Sequence, residues 1–125
     1  MSLQTVADRF VELCRQGKNF DVMRTMYATE IVSVEGDGAE TAGQAAVIRK
    51  SEKWATDNDF HGETVAGPFF SGPGTAGRDG QFAVYFTLDV TRKSTGRRVT
   101  LDEVALYTVK NDLITREQFY YAGEH

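Results

Sequence analysis

Three carboxylates in this chain stand where proton chemistry is plausible. Glu35 ends the run EIVSV and is followed by Gly36-Asp37-Gly38. Glu103 interrupts the alternating apolar series Leu101, Ala105, Tyr107 and Val109, and Glu117 sits in the last such run, LITREQFYY. A carboxyl group taken out of water has a raised pKa and can exchange protons near neutral pH. Glu35 is therefore either a solvated charge at a strand end or a base aimed into a pocket. Glu103 is either a pocket acid or a paired charge at a sheet edge, and Tyr107 could donate a hydrogen bond to a ligand or to Glu103. His61 and His125 have no spacing to another His, Cys or carboxylate that suggests a metal site, and no Ser-His-Asp set can be assembled. GPGTAG, residues 72–77, satisfies G-x-G-x-x-G. A dinucleotide fingerprint needs a helix after it, whereas a polar turn and a strand near Gln81 follow here, so loop glycines explain the match.

These groups must be positioned by a single domain spanning residues 1–125, long enough for one buried core. Composition is 41% hydrophobic and 26% charged with two prolines, which excludes a disordered chain. A net charge of −4 argues against nucleic-acid binding. The dense basic cluster, Arg92, Lys93, Arg97 and Arg98, reads as the solvated end of a hairpin, with an anion site as the lesser alternative. One cysteine, Cys14, excludes an internal disulfide. Neither a signal peptide nor a membrane-spanning run is visible, so a cytoplasmic protein with no membrane partner is expected.

Leu3, Val6, Ala7, Phe10, Val11, Leu13 and Cys14 recur at helical spacing behind a Ser2 N-cap. Asn19 is expected to cap a second helix bearing Phe20, Met23, Met26 and Tyr27 on one side. A strand then follows, and a third helix carries Ala45, Ile48 and Ala55 on one stripe with Val47 and Trp54 beside it. From residue 60 the pattern changes to strands. The first is bent at Gly67-Pro68, the second is QFAVYFTLDV, and the last two are joined at Asn111-Asp112. Three helices and one early strand before a four-stranded meander make an α+β fold. A two-residue turn pairs Val109 with Ile114, Tyr107 with Arg116 and Glu103 with Tyr120. That register sends Glu117 to the face of Val104, Leu106 and Phe119; a bulge would reverse it.

The Tyr27-Ala28 pair before the first strand, the tight turn ahead of Ile114 and the aromatic final strand resemble the nuclear transport factor 2-like superfamily. The similarity is greatest to its SnoaL-like branch, beside ketosteroid isomerases and polyketide cyclases. The resemblance implies a cystatin-like cone, with three N-terminal helices packed on a curved antiparallel sheet around a pocket. It also implies homodimers joined through the sheet face. In ketosteroid isomerases the general base lies eight residues beyond the Tyr-Ala tyrosine, a position held here by Glu35. Their helical tyrosine matches Phe10, and their late-strand acid matches Ala105. Neither can donate to an enolate oxygen, so steroid isomerisation is not implied.

On this resemblance Glu35, Glu103 and Tyr107 are the catalytic candidates. Phe10, Tyr27, Trp54, Phe69, Phe82, Phe86, Glu117, Phe119 and Tyr121 are the substrate-binding candidates. Two functions fit. One is a cofactor-independent isomerase, cyclase or lyase acting on a small apolar molecule. The other is a ligand-binding or dimerisation module in which the same residues only close the pocket. Fold likeness does not choose between them.

Overall fold

In the computed structural model, which describes residues 1–72, 75–122 and 125, the chain begins with helix α1 (Leu3–Arg15). Ser2 caps it by accepting a hydrogen bond from the Thr5 amide, and Leu3, Val6, Ala7, Phe10, Val11 and Cys14 form its buried stripe. Gly17 turns the chain at φ 74°. Helix α2 (Asn19–Met26) follows, but Asn19 does not cap it. Its side chain hydrogen-bonds to Glu63 instead. Tyr27–Val34 form strand β1, and the short strand β2 (Glu40–Ala42), absent from the sequence-based reading, folds back antiparallel on it.

Helix α3 (Gln44–Asp57) buries a different stripe from the one expected. Ala45 and Ala55 are exposed, while Val47 is fully buried and Trp54 packs against the core. Lys50 lies three residues beyond Val47 and four before Trp54, so it shares their face. The meander follows as β3 (Asn58–Phe69), β4 (Gly80–Arg92), β5 (Arg97–Lys110) and β6 (Leu113–Tyr120). Strand order is β2-β1-β6-β5-β4-β3, antiparallel except where β1 runs parallel to β6. β3 is one of the two edge strands, and its register shifts between Ala66 and Phe69, around the cis Gly67-Pro68 bond.

The β4–β5 register pairs Phe82 with Tyr107, Val84 with Ala105 and Phe86 with Glu103, so these six share the concave face. Residues 111 and 112 are the expected two-residue turn, with both φ angles positive, and Val109 faces Ile114. Thr108 then faces Arg116, which leaves Thr115 unpaired as a bulge. The expected pairs Tyr107–Arg116 and Glu103–Tyr120 are therefore replaced by Tyr107–Glu117 and Val104–Tyr120. Glu117 turns inward. Of the 72–77 glycine motif, Pro73 and Gly74 lie outside the described residues; no helix stands between β3 and β4 among the rest. Among the described residues no helix is long and apolar enough to cross a membrane.

Candidate functional site

Alternation along β1 directs Ser33 and Glu35 to the concave side, and Ser33 lies beside Glu117 of β6 in the parallel pair. The Glu117 carboxyl is nearly inaccessible to solvent and accepts hydrogen bonds from Tyr27 and Ser33. Burial raises its pKa, and the two hydrogen bonds together with Lys50 oppose the rise. Tyr27 is pushed up in turn, by its own burial and then by Glu117. From α3, Lys50 Nζ donates to Ser33 Oγ at 2.7 Å and to Glu35 Oε1 at 2.6 Å, above the face of Phe119 at 5.7 Å. Tyr27, Glu117, Ser33, Lys50 and Glu35 thus form one continuous polar chain, running from the core to a half-exposed carboxylate.

Glu103 stands across from this chain on β5, with 14% of its side chain exposed. Its pKa is pushed up to about 7, by burial first and then by the charges of Glu35, Glu117 and Glu63, with Lys50 pulling the other way. His125 Nε2 lies 3.2 Å from Glu103 Oε2, and the imidazole stacks on Tyr121 at 3.9 Å. Burial lowers the His125 pKa. The other face of the Tyr121 ring lies against Gly36, where an added Cβ would come within 2.6 Å of the ring. Only glycine after Glu35 admits that approach. The fourth carboxylate, Glu63 on β3, is raised by burial and held by Asn19. Among the described residues no three His, Cys, Asp or Glu side chains are grouped as metal ligands.

The sequence-derived candidates divide sharply. Glu35, Glu103, Glu117, Tyr27, Phe119 and Tyr121 are drawn together around Lys50. Phe10, Phe82 and Tyr107 form an aromatic stack, with ring centroids 4.4–5.4 Å apart, that fills the deep end of the cone. Phe86 is buried beside Glu103's register position, and Trp54 packs partly against the core. Phe69 is a correction: it is 55% exposed, because the irregularity at Gly67-Pro68 turns it outward and presents Phe70 to the core instead.

Three contributors escaped the sequence reading. Ser33 was signalled by its two-residue spacing from Glu35, and Lys50 by its helical spacing from Val47 and Trp54. His125 follows the last strand with no periodic signal at all. His61, by contrast, is exposed and, among the described residues, bonds to Thr91 alone.

The profile of the SnoaL-like domain family matches residues 1–121. A SnoaL-like polyketide cyclase candidate from Mesorhizobium loti is 41% identical over 97% of this chain and 100% of its own, with a TM-score of 0.87. A ketosteroid isomerase-like fold from Catenulispora acidiphila, solved with trimethylamine, is 16% identical over 90% of this chain and 82% of its own, TM-score 0.68. An NTF2-like protein of unknown function from Burkholderia pseudomallei is 18% identical over 97% and 92%, TM-score 0.69. These last two share the fold alone. No curated protein matches the chain. A domain match over nearly every residue, joined to a cone of three helices on a six-stranded sheet, shows that the chain belongs to the SnoaL-like family of the NTF2-like fold.

Proposed function

We propose that the cone handles a proton on a small apolar molecule without a cofactor, in an isomerase-, cyclase- or lyase-type step. One observation carries the reading: a carboxyl, Glu103, is held on the concave wall with its pKa pushed up to about 7, facing a carboxylate already engaged by an ammonium. A group with that pKa is divided between acid and base at neutral pH, where general acid–base catalysis is most effective. Glu103, rather than Glu35, is then the proton-transfer group. Glu35 serves with Lys50 as a charge pair that a polarised oxygen could approach through the ammonium. Tyr27 and Glu117 anchor that pair from below.

The test is deuterium incorporation from heavy water at the carbon beside the carbonyl of apolar aryl ketones such as tetralone. The protein should accelerate exchange, with the rate rising as pH passes about 7, and Glu103→Gln should abolish the acceleration. Exchange at the buffer rate with the unaltered protein refutes the reading. The packed stack of Phe10, Tyr107 and Phe82 favours the second reading, a module that binds without turnover, since it shortens the space left for substrate.

We also propose a homodimer joined through the convex sheet face. Tyr85, Val104 and Tyr120 are cross-strand neighbours there and are 42%, 40% and 52% exposed, an apolar row with no cover of its own.

A further inference from the structure

The β4–β5 hairpin places Arg92 directly opposite Arg97. Both continue the concave-facing alternation of Val90, Val99 and Leu101, so their side chains leave the sheet on the same side. Like charges directly opposite one another across a sheet are destabilising unless something neutralises them. The neighbouring cations are neutralised: Arg98 makes a forked pair with Asp89 at 2.7 and 3.0 Å, and Lys93 lies 3.8 Å from Asp59. No carboxylate among the described residues pairs with Arg92 or Arg97. What sets the two apart is that they face each other across the ladder on one side of the sheet.

Arg92 and Arg97 line a concavity of about 350 Å³, whose wall also includes Arg98, Val99, Leu101 and the Thr95 and Thr100 positions. Pairing between β5 and β6 stops at Val104, so among the described residues no strand covers the edge of β5 from Arg97 to Glu103. Among the described residues, the backbone groups that point outward along that edge have no partner strand. The same stretch of β5 leads from Arg97 past Val99 and Leu101 to Glu103. The charge of Arg92 is felt by His125, which contacts Glu103, so the concavity and the carboxyl site are neighbours.

We propose that Arg92 and Arg97 form an anion subsite, and that the ligand is an amphiphilic anion. Its carboxylate or phosphate pairs with the two guanidinium groups, and its apolar body lies over Val99 and Leu101 toward Glu103. This rests on the reading of the cone as a small-molecule site and adds a charge to the substrate class. Planar guanidinium groups suit either oxyanion, because each can present two parallel donors.

Two fluorescent probes separate the claims. Anilinonaphthalene sulfonate carries an anion, whereas phenylnaphthylamine has the same ring body without one. The Arg92→Gln/Arg97→Gln variant should lose about tenfold or more in affinity for the sulfonate, the scale of lost charge-assisted hydrogen bonds, and little for the neutral probe. On the unaltered protein, added salt should weaken only the sulfonate. Displacement by decanoate compared with decyl phosphate then distinguishes the two oxyanions. Sulfonate affinity that is unchanged in the variant and insensitive to salt overturns the subsite. Failure of phenylnaphthylamine to bind the unaltered protein counts instead against the apolar pocket.

Discussion

Glu103→Gln should make the protein more stable than the parent at high pH and close to it at low pH. Moving a carboxyl from 4.5 to about 7 corresponds to about 3 kcal/mol of preference for the protonated form, at about 1.36 kcal/mol per unit. The folded state holds this proton more tightly than the unfolded state. The associated stability is therefore fully present below about 4.5, declines as pH rises, and is gone once pH has passed about 7. Glutamine has the same shape and does not titrate, so it keeps a neutral side chain at every pH. Little discount for solvent is needed, because only 14% of the Glu103 side chain is exposed.

The assay is urea unfolding of both proteins at intervals from pH 4 to 9, compared as the difference between them. That subtraction removes contributions shared by both, including Glu63 and Glu117, whose pKa values are also raised, and His125, whose pKa is lowered. The difference should grow by up to about 3 kcal/mol in favour of the variant between pH 4.5 and pH 8. Curves that stay parallel within about 0.5 kcal/mol, the ordinary spread for a surface change, would refute the buried acid. The proposed proton-transfer group would fall with it.

Four other outcomes follow from the same contacts. Lys50→Met removes the ammonium shared by Ser33 and Glu35 and should raise the Glu103 pKa further, visible in carbon-detected carboxyl titration. Tyr27→Phe strips a donor from buried Glu117 and should cost about 1–3 kcal/mol in urea unfolding, with Tyr27→Phe/Glu117→Leu recovering part of the loss. Gly36→Ala should drive the Tyr121 ring away and expose His125, moving the imidazole pKa up toward its ordinary 6.5 in proton NMR. Val104→Glu, placed in the centre of the exposed convex row, should convert a dimer to a monomer in light scattering; a parent protein already monomeric at micromolar concentration sinks the dimer.

Much of the fold could be read from periodicity, because the burial that determines each element is repeated along it. α1 carries its apolar stripe over the whole helix, and β4 alternates without interruption from Phe82 to Val90. α3 misled because alanine scores as apolar while adding little buried area, so Ala45 and Ala55 suggested a stripe that Val47 and Trp54 define. β2 is three residues long and is fixed by its pairing with β1, which no local pattern encodes. Glu103 was legible since it breaks an alternation whose face was known. The Lys50–Glu35 pair was not, because it joins a helix to a strand end, and a lysine on a helix is ordinarily a solvated residue.

The least legible feature has the largest consequence for the site. With an unbroken register after the 111–112 turn, Arg116 would face Tyr107 and enter the cone, while Glu117 would point to the convex side. Thr115 adds one residue and exchanges a guanidinium for a carboxylate at the centre of the core. A buried arginine beside Lys50 would leave two cations against Glu35 and Glu103, and would lower the Glu103 pKa rather than raise it. As folded, Arg116 is exposed, and Glu117 is among the charges that lift Glu103 to about 7. Deleting Thr115 should therefore do more than disturb a strand. It should either unfold the sheet edge or restore the simple register, and in the second case the Glu103 pKa should fall, leaving burial, Glu35 and Glu63 to raise it. A deletion variant that folds with the simple register and an unchanged Glu103 pKa would mean that the bulge does not determine the electrostatics of the cone.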